Sequence, residues 1–402
     1  MKTNIENAFW NGLPQPQNAT RGGTDSGPRD VSRDRENPDL LIPPITDKGT
    51  VPNLHFSFSN VHNRLEEGGW TREITARELP VSTTIAGINM RLRPGQLTGV
   101  RELHWHKQAE WAYMISGKAR ITAVDGEGRN FADDVKIGDL WYFPAGIPHS
   151  IQAHTEGCEF LLVFDDGMFS ENDTFLVSEW LSRTPLDIVA KNFGVSLETL
   201  ESLPPKEKYF FLAPAPPETL ANDEVISPNG RVPQWFSYHL SQQAPIKVAG
   251  GQVKIVDSGN FPASKTIAAA LVEVQPGGIR ELHWHPNTDE WQYYLEGKGR
   301  MTVFTASDKA RTFDFRAGDV GYVPFAMGHY VENTGDTPLI FLEIFRSDRF
   351  VDILLNQWLA LTPPELVQAH LNVDESFTNT LSKNKAIIIQ PDYKRTEAIE
   401  RD

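Results

Sequence analysis

Two matching stretches decide the fold: residues 101–111, Arg-Glu-Leu-His-Trp-His-Lys-Gln-Ala-Glu-Trp, and residues 280–291, Arg-Glu-Leu-His-Trp-His-Pro-Asn-Thr-Asp-Glu-Trp. In each stretch two histidines stand two residues apart, and a glutamate follows four or five residues later. Side chains at positions i and i+2 of a strand point to the same face. One such copy could be an ordinary strand with a polar face, whereas two copies with the same flanks predict two metal sites.

A further histidine in each half completes the pattern. His149 follows Glu110 by 39 residues, and His329 follows Glu290 by the same 39. The equal spacing predicts that a returning strand brings this histidine to the other three ligands. The predicted ligand sets are His104, His106, Glu110 and His149 in the first half, and His283, His285, Glu290 and His329 in the second. The ligand types alone allow Mn, Fe, Co, Ni or Zn.

The repeat extends well beyond the metal motifs. Gly138-Asp139 corresponds to Gly318-Asp319, and Trp180-Leu181 corresponds to Trp358-Leu359. Short apolar runs separated by Gly, Pro, Asn and Asp are typical of antiparallel barrels and sandwiches. We therefore predict a mainly β chain with two tandem barrels, each followed by short helices. The predicted divisions are an extended N-terminal arm (1–54), a first domain with a helical segment and a linker (55–233), and a second domain with C-terminal helices (234–402). The linker is the Pro-rich stretch from Lys206 to Arg231, for which we predict no regular element.

Two segments leave alternatives open. Prolines and polar residues dominate the first 50 positions, so this segment is either a disordered tail or an arm that packs on another surface, such as a neighbouring subunit. Residues 95–100 lie between a proline and Arg101, where the second half has only residues 277–279. This difference predicts an enlarged loop beside Arg101 and puts the local register of Arg101 in question.

Composition narrows the class of partner. The chain has 402 residues and a formal net charge of -15, which argues against nucleic acids and anionic membranes as partners. Cys158 is the only cysteine, so a disulfide framework and a thiolate metal cluster are excluded. No apolar run approaches the roughly 20 residues of a membrane span, and the N-terminus lacks the apolar region of a signal peptide. We therefore expect a cytoplasmic protein with no membrane partner.

Arg101 and Arg280 stand three residues before the first histidine of each motif. On a regular strand this odd offset would place them on the face opposite to the histidines, unless a loop or a bulge intervenes. They either supply positive charge to a metal-bound anion or form surface salt bridges with adjacent acidic residues.

The motifs resemble those of the cupin superfamily, whose barrels are double-stranded β-helices, also called jelly rolls. Longer strings resemble the bicupin oxalate decarboxylases of bacteria: Trp141-Tyr142-Phe143-Pro144, Phe164-Asp165-Asp166-Gly167 and Val323-Pro324-Phe325-Ala326-Met327-Gly328-His329. The resemblance covers about residues 40–385. It implies two manganese ions per chain, dioxygen as a co-catalyst, oxalate as the substrate, and formate and carbon dioxide as products. It also implies a homo-oligomer, either a trimer or a homohexamer.

The resemblance implies roles for single residues as well. Arg101 would orient and polarise oxalate, and residues 170–173 (Ser-Glu-Asn-Asp) would form a mobile lid in which Glu171 handles the proton. Asp173 departs from the serine of the family. The second half has Arg280 and Glu343 but no such lid, so we expect catalysis at the first site. The second site would be structural or supporting, with Glu343 as the residue that could make it catalytic.

Three alternatives remain at this stage. Glu171 could be an ordinary solvated carboxylate of a loop. Without a positioned proton donor, the same site would act as an oxalate oxidase that yields carbon dioxide and hydrogen peroxide. A non-enzymatic, metal-binding bicupin is the third interpretation, although seed storage proteins of this architecture generally lack the ligands that are present here.

Overall fold

Strands dominate the fold, as predicted. A computed structural model describes residues 38–40 and 43–390. The first strands in chain order are β1 (His55–Ser57), β2 (Arg64–Glu66), β3 (Gly69–Ile74), β4 (Ala86–Leu92), β5 (Leu97–Trp105), β6 (Glu110–Val124), β7 (Asn130–Lys136), β8 (Leu140–Phe143), β9 (His149–Phe164), β10 (Phe175–Leu176) and β11 (Phe210–Pro214).

The second half repeats this order. Its strands are β12 (Ser237–Tyr238), β13 (Ile246–Val248), β14 (Gly251–Val256), β15 (Ala268–Val274), β16 (Ile279–Trp284), β17 (Glu290–Glu296), β18 (Lys298–Thr305), β19 (Lys309–Arg316), β20 (Asp319–Val323), β21 (Gly328–Asn333), β22 (Leu339–Phe345), β23 (Ile353–Leu354) and β24 (Ile388–Ile389).

Short helices follow each barrel. They are α1 (Val177–Ser182), α2 (Leu186–Phe193), α3 (Leu355–Ala360), α4 (Pro364–Leu371) and α5 (Glu375–Thr378). In the part of the chain that the structure describes, no helix has the length and apolarity needed to cross a bilayer.

Each half folds into two facing sheets, which confirms the predicted tandem jelly-roll barrels. In the second barrel the strand orders are β1-β20-β17-β22-β15-β14-β13 and β19-β18-β21-β16-β23, with β24 paired to β16. In the first barrel, β6 and β9 run through both sheets and change register at bulges near Ser116 and Gly117. These antiparallel sheets enclose the two predicted metal sites.

The two barrels exchange their first strands. β1 precedes the first barrel but pairs with β20 of the second, and β12 precedes the second barrel but pairs with β8 of the first. His55 Nε2 lies 3.2 Å from Asp319, and His239 Nδ1 lies 3.0 Å from Asp139. The predicted divisions therefore assign β1 to the first domain, although it completes the second barrel. They assign β12 to the second domain, although it completes the first barrel.

The facing sheets of the two domains also share one apolar core. On β17, Glu290 is a predicted metal ligand, and the next side chain, Trp291, is fully buried. A Cβ atom added to Gly87 on β4 would lie 2.4 Å from the Trp291 ring. Glycine at this position is therefore what allows the tryptophan of one domain to contact the backbone of the other.

The described part of the N-terminal arm packs on the second domain of its own chain. Lys48 forms a β-bridge with Ala310, and Asp47 accepts hydrogen bonds from the amide and the hydroxyl of Thr312. Val51 and Leu54 are buried in the core of the second barrel. Of the two predicted alternatives, residues 43–54 therefore follow the packed arm, and the surface on which they pack belongs to the same chain. Residues 1–37 lie outside the described range.

Asp39 is buried beside the partly buried carboxylate of Asp314, which also binds Arg300. Burial and the neighbouring Asp314 raise the pKa of Asp39 to about 7. The folded protein therefore retains a proton that the unfolded chain releases near pH 4, so this contribution to stability should be lost as the pH rises from about 4 to about 7. Asp39→Asn should raise the melting temperature at pH 8 and leave it unchanged at pH 4. Thermal unfolding across this range is the measurement, with the exposed Asp336→Asn as control; equal shifts at both pH values would contradict the assignment.

Two sequence predictions were wrong in this region. Residues 97–100 are not part of an enlarged loop, because they extend β5 and pair with β11. The stretch from Lys206 to Arg231, predicted to hold no regular element, contains β11 itself. The two errors have one cause, because the two segments form a single strand pair. The extra residues before Arg101 lengthen β5, and β11 from the linker pairs with this added part.

Candidate metal centres

The four predicted ligands of each half converge inside their barrel. All eight side chains are buried, and within each group the candidate ligand atoms lie within 4.8 Å of one another. In the first site His106 Nε2 and His149 Nε2 lie 3.2 and 3.5 Å from Glu110 Oε2. In the second site the matching distances to Glu290 are 3.2 and 2.7 Å. The sequence prediction of both constellations is therefore consistent with the geometry.

Backbone carbonyls orient the imidazoles. His104 Nδ1 lies 2.5 Å from the Glu102 carbonyl, and His149 Nδ1 lies 2.8 Å from the Ile147 carbonyl. The remaining imidazoles have equivalent partners: the carbonyls of Gln108, Glu281, Val351 and Met327. A carbonyl can only accept, so each Nδ1 carries the proton and each Nε2 lone pair faces the centre.

The donor atoms fit a metal ion. His149, His283, His285 and His329 have buried Nε2 atoms without a hydrogen-bond partner among the described residues, as has one oxygen of Glu290. Buried polar atoms left in this state are costly unless something binds them. Three imidazole nitrogens and one carboxylate oxygen form a ligand set for a divalent first-row ion.

The ionisation state of the ligands supports the same role. Burial by itself would raise the pKa of Glu110, but the facing rings of His149 and His106 hold it below its usual range. Burial, together with the nearby Arg101, lowers the pKa of His104. A carboxylate beside a neutral imidazole is the form that coordinates metal ions.

The glutamate ligands have different supports in the two sites. Trp141 Nε1 donates to the second oxygen of Glu110 at 2.9 Å. In the other barrel Gln292 donates to Glu290 at 2.8 Å and accepts from the hydroxyl of Tyr294. Such bonds leave one carboxylate oxygen for a metal and fix its direction.

A bulge places Arg101 in the interior. The pairing of β5 with β9 shifts register between Arg101 and His104, and the pairing of β16 with β21 shifts between Arg280 and His283. Each shift turns the arginine to the ligand side despite its odd offset. Both arginines are buried, which excludes the alternative of surface salt bridges.

The surroundings of the two arginines differ. In the first site the Arg101 guanidinium stacks on the Tyr209 ring at 3.9 Å and donates to the Tyr209 carbonyl. Among the described residues it has no carboxylate partner. In the second site Arg280 binds Glu343 at 2.8 Å and Asp352 at 2.7 Å. The charge of Arg280 is therefore already compensated.

Strand register shows which residues cause this difference. Leu162 lies opposite Ala112 and Glu343 opposite Gln292 in the corresponding strand pairs. Leu176 and Leu354 lie opposite the first histidine of each motif, so Thr174 and Asp352, which lie two residues before them, also correspond. The first domain thus has Leu162 and Thr174 where the second has two carboxylates.

The predicted lid, residues 170–173, lies over the first site. Residues 171–173 form a 3-10 turn, and the Glu171 carboxylate accepts a hydrogen bond of 2.5 Å from the Tyr209 hydroxyl. Asp173, the departure from the family, is exposed. The space beneath has a volume of about 10 Å³ and is lined by Ile88, Met90, Arg101, His104, His106, Glu110, Leu162, Phe164, Phe169, Glu171, Thr174 and Tyr209. A site this enclosed requires the lid to move when a substrate binds.

Sequence reasoning missed Tyr209 and Glu102. Glu102 is buried and accepts hydrogen bonds from the amides of Ser178, Lys208 and Tyr209, so it ties the helical segment and β11 to the motif. Tyr209 lies in the linker, more than 100 residues from Arg101. Alignment of the linker with the C-terminal segment was the available signal. It would have placed Tyr209 opposite Ile387 and shown a tyrosine in the first domain only.

Ligand variants should separate the two sites. His104→Ala and His283→Ala each remove one of four ligands, so each protein should bind one metal ion per chain where the wild type should bind two. Chelation should lower the melting temperature, because unsatisfied buried donors remain. Metal analysis and thermal unfolding are the measurements, with the exposed His62→Ala as control. Full metal content in either variant would contradict the ligand assignment.

Fold and site together define a two-domain, metal-binding bicupin. The family model described as Cupin matches residues 57–201 and 238–379. Oxalate decarboxylase OxdC of Bacillus subtilis is 60% identical over 380 residues, which cover 94% of this chain and 98% of that protein. A probable oxalate decarboxylase of Arthroderma benhamiae is 42% identical over 387 residues, which cover 94% of each chain. The chain therefore belongs to the cupin family and, within it, to the bicupin oxalate decarboxylases.

A solved structure has the same fold. It belongs to Bacillus subtilis oxalate decarboxylase, in a study that assigned the fine-structure parameters of its Mn(II) centres. It matches with a TM-score of 0.91 and 60% identity, over 94% of this chain and all of that one.

Proposed function

We propose that this chain is a manganese-dependent oxalate decarboxylase whose chemistry takes place in the first domain. Oxalate and one proton give formate and carbon dioxide, with no net oxidation. The observation that carries the proposal is the environment of Arg101. Its buried guanidinium has no carboxylate partner within residues 38–40 and 43–390, and it faces an enclosed site with four metal ligands and Glu171 above them. An anion is the natural partner of such a charge.

Manganese, when bound by the three histidines and the glutamate of each site, would hold the oxalate and, with dioxygen as co-catalyst, supply the electron sink that C–C cleavage needs. Arg101 binds a substrate carboxylate and supplies local positive charge in a chain whose net charge is -15. Ile88, Leu162 and Phe164 form apolar walls that exclude water and strengthen this interaction.

Glu171 handles the proton. Its carboxylate lies on the lid above the cavity, where it can receive a proton from bulk water when the lid is open. With the lid closed it can deliver that proton to the carbon from which carbon dioxide has left. Arg101 therefore binds the substrate at the start of the reaction, and Glu171 donates the proton that completes formate at its end.

The second site has a structural or supporting role in this proposal. Arg280 and Glu343, the two further catalytic candidates, bind each other and are fully buried. Binding of a substrate anion by Arg280 would have to displace Glu343 or Asp352. We therefore assign neither residue to the chemistry.

Product analysis tests the proposal and separates it from the oxidase alternative. Manganese-loaded protein is incubated with oxalate under air at mildly acid pH, and formate, carbon dioxide and peroxide are measured together with metal per chain. A decarboxylase yields formate and carbon dioxide in equal amounts. Peroxide with two equivalents of carbon dioxide would identify the oxidase, and no turnover at full metal content would exclude both.

We also propose that the chain assembles into a homohexamer of two stacked trimers. The outer face of the first domain has a groove of about 860 Å³ whose lining includes Trp105, Trp180, Val225 and Ile226. Trp180 and Ile226 are 63% and 88% exposed. An apolar groove of this size is typical of a protein interface. Size-exclusion chromatography with light scattering tests this assembly; a trimer is the runner-up, and the cytoplasmic location stays a prediction.

A further inference from the structure

Two residues outside the lid hold Glu171 at different points. The Tyr209 hydroxyl donates to the Glu171 carboxylate at 2.5 Å, and the Glu171 amide donates to the carboxylate of Glu73 at 3.1 Å. We propose that Tyr209 and Glu73 form a two-point latch that keeps the lid closed while Glu171 acts. Tyr209 fixes the side chain and Glu73 fixes the backbone. This inference rests on the function proposed above.

Tyr209 is rigid enough to serve as a latch. Its buried ring lies between the guanidinium groups of Arg64, at 3.5 Å from the ring centroid, and Arg101, at 3.9 Å. Its amide donates to Glu102 at 2.8 Å. Its φ of +50° lies in the left-handed region, which a non-glycine residue adopts only where its surroundings impose it. These contacts fix the direction of the hydroxyl, so the lid closes onto a preformed donor.

Glu73 is fixed in a comparable way. It lies on β3, its side chain is 12% exposed, and it forms an ion pair with Arg77. The Glu171 amide begins the 3-10 turn of the lid, where a backbone donor has no partner within the turn. The Glu73 carboxylate satisfies this donor from outside the lid, so lid opening breaks the bond.

The latch is confined to the first domain. In the pairing of β24 with β16, Ile387 takes the place of Tyr209, and its carbonyl accepts from Arg280 as the Tyr209 carbonyl accepts from Arg101. The backbone contact is therefore common to both domains, whereas the hydroxyl is specific to the one with a lid. Stacking on Arg101 requires only the aromatic ring, so the contact with Glu171 is what accounts for the hydroxyl.

The latch should control which product forms. With the lid closed, oxalate and one proton give formate and carbon dioxide. With the lid open, oxalate can instead give up two electrons to dioxygen, which takes two protons and leaves as hydrogen peroxide with two carbon dioxide molecules. Loss of the latch should therefore raise the ratio of peroxide to formate more than it changes the binding of oxalate.

Hydrogen–deuterium exchange of the lid peptide, residues 166–176, tests the latch on manganese-loaded protein without reference to activity. Tyr209→Phe keeps the stacked ring and removes only the hydroxyl. Glu73→Ala removes the acceptor of the Glu171 amide, and Glu73→Gln keeps a neutral oxygen in its place. We expect about 10-fold faster exchange in Tyr209→Phe and Glu73→Ala. Glu73→Gln should restore most of the protection.

The matched control is Tyr238→Phe, which removes a tyrosine hydroxyl bonded to Gln243 at the domain junction. It should change neither lid exchange nor the product ratio, and the melting temperature of every variant shows whether it is folded. If Tyr209→Phe fails to fold, the two Glu73 variants carry the test.

The measurements distinguish a failure of the latch proposal from a failure of the proposed function. Wild-type protein that makes formate, with unchanged lid exchange and an unchanged product ratio in Tyr209→Phe and Glu73→Ala, would overturn the latch alone. Wild-type protein that makes no formate, with lid exchange accelerated in both variants, would overturn the function and leave the latch as a conformational device.

Discussion

Glu171→Ala should reduce formate production by about 10²- to 10⁴-fold while both metal ions stay bound. The side chain lines the cavity above the first ligand set but is not one of its four ligands, so its removal takes away the proton donor and leaves the metal site intact. Oxalate can still be bound by Arg101, so the remaining turnover should shift toward peroxide. Formate, peroxide and manganese per chain are measured at a fixed oxalate concentration.

The control for this prediction is Glu179→Ala, a carboxylate in the exposed first turn of α1. It removes the same charge near the lid and should leave formate production within about twofold, as is usual for an exposed side chain. Formate production at the wild-type level in Glu171→Ala would contradict the role of Glu171. Equal losses in the two variants would point to a general effect of charge.

The ligand sets could be predicted from the sequence because their geometry is local. A His-x-His pair on one strand and a glutamate at the start of the next need only strand alternation and one turn to converge. His149 was found because two copies share the spacing of 39 residues. The second copy of the motif therefore supported the assignment of the fourth ligand in the first copy.

The contacts that distinguish the two sites are not local. Tyr209 reaches Arg101 only because β11 leaves the linker and pairs with β5 in one register. The bulge between Arg101 and His104 depends on how β5 and β9 pair, which neither strand shows alone. The exchange of β1 and β12 depends on how the two barrels pack. Sequence periodicity specifies faces within an element and carries no information on such pairings.

The charge difference was predictable only in part. Glu343 stands where the first half has Leu162, and this difference is visible in the aligned repeats. It predicted a candidate catalytic residue, whereas the structure shows a partner of Arg280. The second replacement, Thr174 by Asp352, lies six residues before the aligned Trp180 and Trp358, but the sequence does not show that Asp352 reaches Arg280. The strand pairs that include Leu176 and Leu354 give the correspondence.

Opposite phenotypes should result from the same substitution at the two arginines. Arg280→Met should destabilise the second domain by about 3–5 kcal/mol, because Glu343 and Asp352 would be left buried without their cation. Arg101→Met leaves no carboxylate of the described residues unpaired, so it should change the melting temperature little. It should lower kcat/KM for oxalate by about 10²- to 10³-fold, since one charged contact to the substrate is lost. Thermal unfolding and steady-state kinetics are measured at equal manganese content.

A rescue experiment decides whether charge or packing causes the loss at Arg280. The triple variant Arg280→Met, Glu343→Leu and Asp352→Thr removes the cation together with both anions. At the two carboxylate positions it introduces the residues that the first domain has there, Leu162 and Thr174. Lys385, the remaining partner of Asp352, is 38% exposed and can be solvated. If unpaired charge is the cause, the triple variant should regain most of the stability that Arg280→Met loses, because replacing a whole buried ion cluster by apolar groups is often neutral or better. A triple variant as unstable as the single one would assign the loss to packing and would remove charge compensation as the reason why the second arginine does not bind substrate.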